Sequence, residues 1–204
     1  MPSSQVPLAG SYNWYLVALS VVISVVASYA ALDVAARVVS ARGWIRSSWL
    51  GGGAIAMGIG IWSMHYVGML AFRLPIPVSY DWPTVLISLL AAVFASATAL
   101  FVVSRKKMDF AQAVAGSLLM GAAIAGMHYV GMDAMRLQAM YHFSPQTVAT
   151  SVLLAIVISW VALWLAFRLR YEARSGGWRK ILAALAMGSA IPVMHYTGMA
   201  AATP

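Results

Sequence analysis

Apolar residues run along this chain in six blocks, near Tyr15 to Ala36, Leu50 to Phe72, Thr84 to Val103, Ala113 to Met135, Val148 to Phe167 and Ile181 to Ala202. At about 20 residues each, they are long enough to cross a hydrocarbon core of about 30 Å. Lipid offers a backbone no hydrogen-bond partner, so each block is predicted to be a helix. Composition agrees: 62% of the 204 residues are hydrophobic and 9% charged, a balance that excludes an ordinary soluble domain and places the chain among multi-pass proteins of the lipid bilayer.

The polar positions between the blocks are unevenly charged. Arg37, Arg42 and Arg46 follow the first block, Arg105, Lys106 and Lys107 the third, and Arg168, Arg170, Arg174, Arg179 and Lys180 the fifth, whereas the alternate connections hold only Arg73 and Arg136. Eleven positive charges against two put the basic connections in the cytoplasm and both termini outside. The net charge of +8 is thereby explained by topology, and no nucleic-acid partner is expected. No Lys or Arg precedes the first block, so it is expected to stay as a helix rather than be cleaved as a signal peptide.

Within the even blocks one hexapeptide recurs: Met64-His65-Tyr66-Val67-Gly68-Met69, Met127-His128-Tyr129-Val130-Gly131-Met132 and Met194-His195-Tyr196-Thr197-Gly198-Met199. The similarity extends upstream, where every histidine has a methionine eight residues before it (Met57, Met120, Met187) and a glycine seven before it (Gly58, Gly121, Gly188). Ala54, Ser117 and Ala184 stand four residues before those glycines, the small-xxx-small spacing that lets helices approach closely. Histidines 63 and 67 residues apart make the chain a tandem array of helical hairpins, about 12–72, 80–135 and 147–202. The expected fold is all-α integral membrane, with six transmembrane helices as three tandem two-helix repeats in a single domain, 1–204. The odd blocks, without His or Met, read as scaffold; Asp33 is expected to pair with Arg37, and Pro192 to kink the sixth helix.

An ionisable or metal-ligating side chain is costly in an apolar segment, and three copies with the same flanking thioethers point to a site. At 1.5 Å per residue, His65 lies about 24 Å from a cytoplasmic entry near Trp49, in the outer third of the membrane, where Tyr66, Tyr129 and Tyr196 fit an interfacial aromatic belt. On a helix His65 and Met69 are about 40° apart, so imidazole and sulfur can face one space, while Met57 and Met64 form an adjacent stripe. Imidazole with thioether suits copper, Cu(I) above all; with no cysteine in the chain, no thiolate site or disulfide competes. The candidate ligands are Met64, His65, Met69, Met127, His128, Met132, Met194, His195 and Met199, and spacing leaves open whether each hairpin holds its own ion or the helices share one. Core-filling methionines and histidines that only bond a neighbouring helix are the plainer alternatives, and haem is a third. His142, with no flanking methionine, reads as a solvated loop residue.

Three such blocks on alternate transmembrane helices, with basic cytoplasmic connections, closely resemble the MHYT family of bacterial integral membrane sensor domains, over about Tyr15 to Ala202. The resemblance implies a sensory module in the bacterial cytoplasmic membrane, proposed to bind copper through the motif Met and His and to sense oxygen, carbon monoxide, nitric oxide or redox state. It also implies cytoplasmic partner domains that make or degrade cyclic di-GMP, which a seventh helix would be needed to reach. Copper transport or delivery, and haem binding, are the alternative functions. No Gly-rich phosphate loop or acidic catalytic cluster suggests an enzyme within these residues, and the pattern leaves the oligomeric state open.

Overall fold

The computed structural model describes residues 10–136, 142–171, 177–200 and 202–203. Its helices are α1 (Trp14–Ser40), α2 (Gly43–Ala71), α3 (Trp82–Val103), α4 (Phe110–Asp133), α5 (Pro145–Leu169) and α6 (Trp178–Ala200), all six long and apolar enough to cross a membrane. Their starts follow from local chemistry. Asn13 accepts the Tyr15 N–H at 3.0 Å, Asp81 that of Thr84 at 3.1 Å and Asp109 that of Gln112 at 2.7 Å, while Pro83 and Pro145 occupy first turns where no helical donor is lost.

Three two-residue strand pairs tie the hairpins. β1 (Ser11–Tyr12) pairs antiparallel with β2 (Phe72–Arg73), β3 (Ser79–Tyr80) with β4 (Met135–Arg136), and β5 (His142–Phe143) with β6 (Ala202–Thr203). Each ribbon joins the residues just ahead of an odd helix to those just past the next even helix. The helices then pack in chain order and close into a ring, α6 against α1, around a pseudo-threefold axis.

Glycine sets how tightly the hairpins meet. A Cβ on Gly58 would stand 2.7 Å from the Val93 Cα, one on Gly121 2.7 Å from that of Ile156, and one on Gly188 2.5 Å from that of Val25. Each even helix therefore lays its glycine on the backbone of the following odd helix, the close contact that the small-residue spacing predicts. The odd helices answer with small buried residues: Ser20, Ser24 and Ser28 on α1, Ser88, Ala92 and Ser96 on α3, Ser151, Ala155 and Ser159 on α5.

At the end carrying the basic residues, three expectations are corrected. α1 and α2 run past their apolar blocks, leaving only Ala41 and Arg42 between them, and Gly43 takes φ +56° to make the tight entry. Arg37 and Arg46 thus lie on helices, with Arg37 over the Trp49 ring and Arg46 donating to the Ser104 hydroxyl at 3.0 Å, so long stems carry their charges to the bundle end. Asp33 pairs not with Arg37 but with Lys180 of α6 at 2.5 Å, because the ring closure brings α6 alongside α1 and buries Lys180, also held over the Tyr29 ring. Arg170, equally buried, donates to the carbonyls of Val103, Arg105 and Lys106 and so caps the end of α3. Arg174 lies outside the described residues, as does the side chain of His142, whose backbone belongs to β5.

Candidate metal centre

Each hexapeptide occupies the last turns of an even helix, so ring closure carries all three to one end of the axis. His65, His128 and His195 meet there, none more than 1% exposed. Their rings stand edge to face with centroids 4.9 to 5.2 Å apart. His65 Nδ1 lies 2.9 Å from His195 Nδ1 and 3.4 Å from His128 Nδ1. Pro192 sits within a continuous α6 and does not keep His195 from the group. The three copies meet in one cluster that could hold a metal ion.

That geometry suits a cation. Three nitrogens bound at about 2.0 Å to one metal stand about 3.3 to 3.5 Å from one another. Converging Nδ1 lone pairs repel unless a proton or a metal lies among them. The site also sits near the C-terminal ends of α2, α4 and α6, where aligned peptide dipoles favour positive charge. Haem fits poorly, because a porphyrin has to lie between two axial nitrogens about 4 Å apart, and here the rings pack on one another.

Glycine holds the rings in place cyclically. A Cβ on Gly68 would collide with His195 Nε2, one on Gly131 with His65 Nε2, and one on Gly198 with His128 Nε2. The room that the motif glycines leave is filled by the imidazole of another repeat. With Nε2 against the glycine backbone, Nδ1 is turned to the axis; among the described residues no Nε2 completes a hydrogen bond of regular geometry.

The methionines divide. Met69, Met132 and Met199 form one buried cluster, which also takes in Met135 of β4 and is flanked by Tyr66, Phe72, Val78 and Tyr80. This sulfur-rich layer lies one helical turn beyond the histidines, about 6 Å along each helix. Met64, Met127 and Met194 are equally buried but do not share such a layer: Met127 packs with Ile61 and Ala92, and Met194 belongs to the main apolar core. Nothing in the hexapeptide signals Met135, which falls outside it.

Sequence reasoning also passed over the serines of the odd helices. Tyr196 bonds Ser20 at 3.0 Å and Tyr129 bonds Ser151 at 2.5 Å, each tying the residue after a histidine to the next odd helix around the ring. In the first repeat Trp62 takes this place, donating from Nε1 to Ser88 at 3.1 Å, and Tyr66 stacks on Trp62. Tyr129 and Tyr196 therefore brace helices rather than serve only as an interfacial belt. A repeated serine at every fourth or eighth position of otherwise apolar blocks was the available signal.

The family model described as "Bacterial signalling protein N terminal repeat", MHYT, matches residues 1–48, 58–116 and 121–176. The chain belongs to the MHYT family. It is 51% identical over 195 residues to the bifunctional diguanylate cyclase/cyclic di-GMP phosphodiesterase MucR of Pseudomonas aeruginosa, covering 96% of this chain and 28% of that protein. It is 37% identical to the signaling protein YkoW of Bacillus subtilis (95% of this chain, 24% of that protein) and 40% identical to the cyclic di-GMP phosphodiesterase NbdA of P. aeruginosa (94% and 24%). The chain thus spans about a quarter of the length of these MHYT relatives. No solved structure matches it.

Proposed function

We propose that this chain is a membrane sensory module whose three histidines hold one copper ion near the extracytoplasmic face. The observation that carries the reading is the convergence of His65, His128 and His195, from three helices, with Nδ1 atoms 2.9 and 3.4 Å apart. The donor set supports copper: buried imidazoles beside thioethers from Met69, Met132 and Met199, with Met64, Met127 and Met194 as chain neighbours of the histidines, and no carboxylate in the group of potential ligands. Bound copper would supply an open soft position for a diatomic molecule such as oxygen, carbon monoxide or nitric oxide, or a change of redox state.

The protein's own part is orientation and transmission. The glycines lock each imidazole by its Nε2 edge, so any change in the positions of the rings presses on the helix of another repeat. The Tyr129–Ser151 and Tyr196–Ser20 bonds extend that contact to the odd helices. The partition of basic residues supports a cytoplasmic location for the opposite end, and hence for output. By kinship with MucR and NbdA, that output is control of cyclic di-GMP synthesis or breakdown, carried by regions beyond the quarter matched here. The repeating unit of this reading is the ribbon-closed hairpin, about 12–72, 80–135 and 147–202.

The test is copper titration of the purified protein under reducing conditions beside a His65→Ala/His128→Ala/His195→Ala variant, followed by exposure to CO or NO. The variant is expected to lose one equivalent and the gas-dependent change in spectrum. Retention of all bound copper by the variant would remove the proposal.

A further inference from the structure

Below the histidines the same axis carries a second trio. Met57, Met120 and Met187, each eight residues before a histidine and about 12 Å from it along its helix, line two adjoining cavities of about 60 and 40 Å³. The two cavities share five lining residues, these three methionines with Ala31 and Ala162, so the thioethers form a waist between them. Ile61, Ile124 and Ile191, one turn below the histidines, line the larger cavity on the histidine side.

Core-filling methionines ordinarily leave no void beside them. Here three from different helices surround empty space, with freedom for their long side chains to turn sulfur toward the axis. A second observation points to a ligand. Ser24 of α1 and Ser159 of α5 both line the larger cavity and are no more than 1% exposed, and their hydroxyls have no hydrogen-bond partner among the described residues. Two orphan oxygens in a cavity otherwise walled by alkyl groups and sulfur can direct their dipoles at a cation.

We propose that Met57, Met120 and Met187 form a second metal site, a three-thioether site for a soft monovalent ion, Cu(I), on the axis beneath the histidines. Three neutral, polarisable sulfurs select a soft ion over Na⁺, Mg²⁺ or Zn²⁺. The small cavity excludes a hydrated ion, so the metal would enter stripped of water. This site uses none of the residues assigned to the histidine centre, and either can exist without the other.

Silver(I), a redox-inert stand-in for Cu(I), is the probe. The chain, residues 1–204, in detergent should bind two equivalents of Ag(I). The Met57→Leu/Met120→Leu/Met187→Leu variant, nearly conserving volume, should bind one, and the triple-histidine variant should retain one whose X-ray absorption shows a sulfur-only first shell. Loss of no equivalent in the methionine variant overturns the proposal, as does residual metal in the histidine variant with nitrogen or oxygen neighbours, or none at all. Should the methionine variant fail to fold, single Met57→Leu, Met120→Leu and Met187→Leu substitutions in the histidine variant decide: each should weaken Ag(I) binding, and unchanged affinity in all three overturns the proposal by leaving the metal to the Met69, Met132 and Met199 layer. Failure of the histidine centre reads differently: the triple-histidine variant would then lose nothing, whatever the methionine variant does.

Discussion

The two ends of the bundle are built on opposite plans. At the histidine end the three repeats do the same thing: each closes with a two-residue ribbon, each presents an imidazole to the axis, and each offers a glycine to another repeat's Nε2. At the basic end every connection has its own solution: Arg37 on Trp49 across a two-residue turn, Arg170 capping α3, Lys180 buried against Asp33. One centre shared by three side chains tolerates little divergence, because displacing any ring spoils the geometry for all. The basic end has only to keep its positive charges at one face, and many local packings satisfy that.

The contrast is broken most severely at the histidines. Replacing His65 alone with Ala should abolish tight copper binding at the shared centre, measured by competition with a Cu(I) chelator, whereas Arg170→Ala should leave that affinity unchanged and lower only thermal stability. Equal copper affinity in the two variants would refute the division of labour. Next comes Asp33→Asn, which strands the buried Lys180 ammonium. Because Asp33 is 41% exposed and partly hydrated, the expected loss is about 2 kcal/mol rather than the larger value for a fully buried pair. It should appear as a lower melting temperature with copper stoichiometry intact.

At the symmetric end, Gly131→Ala drives a methyl into His65 and is expected to cost about 1 to 3 kcal/mol and to weaken copper binding, while Gly126→Ala, where a Cβ meets nothing within 4 Å, should be neutral or slightly stabilising. A smaller effect sharpens a departure from threefold regularity: Tyr129→Phe and Tyr196→Phe should each cost about 1 kcal/mol, and Tyr66→Phe less, since Trp62 makes the serine bond in that repeat. The smallest concerns the ribbon end. The Thr84 hydroxyl and then its N–H hold the Asp81 carboxyl below its ordinary pKa, with Arg136 adding to the effect. A depressed folded-state pKa means stability present above the unfolded value and lost as pH falls through the folded one. Acid melting curves should therefore show a loss that Thr84→Val diminishes.

Much of this was legible in order along the chain. The apolar blocks placed all six helices, the hexapeptide located the histidines and their methionines, and the upstream glycines marked the faces that touch. Boundaries at the basic end were not legible, because Arg37 and Arg46 look like loop residues until their stems are seen lying on neighbouring surfaces. The partner of Asp33 was misjudged for a related reason: Arg37 is near in sequence, but only closure of the ring brings α6 and Lys180 beside α1. The serines of the odd helices looked like minor interruptions, since Ser20, Ser88 and Ser151 meet their partners, Tyr196, Trp62 and Tyr129, only on another hairpin.

Periodicity and repetition are local properties of a chain, and they were enough to determine a six-helix membrane protein with three equivalent imidazole-bearing turns at a common depth. Whether those turns would face one another, which nitrogen each would offer and what each glycine was leaving room for depend on contacts between residues more than sixty positions apart. Those contacts exist only once the third hairpin has packed back on the first, and it is this closure that turns three separate histidines into a single site.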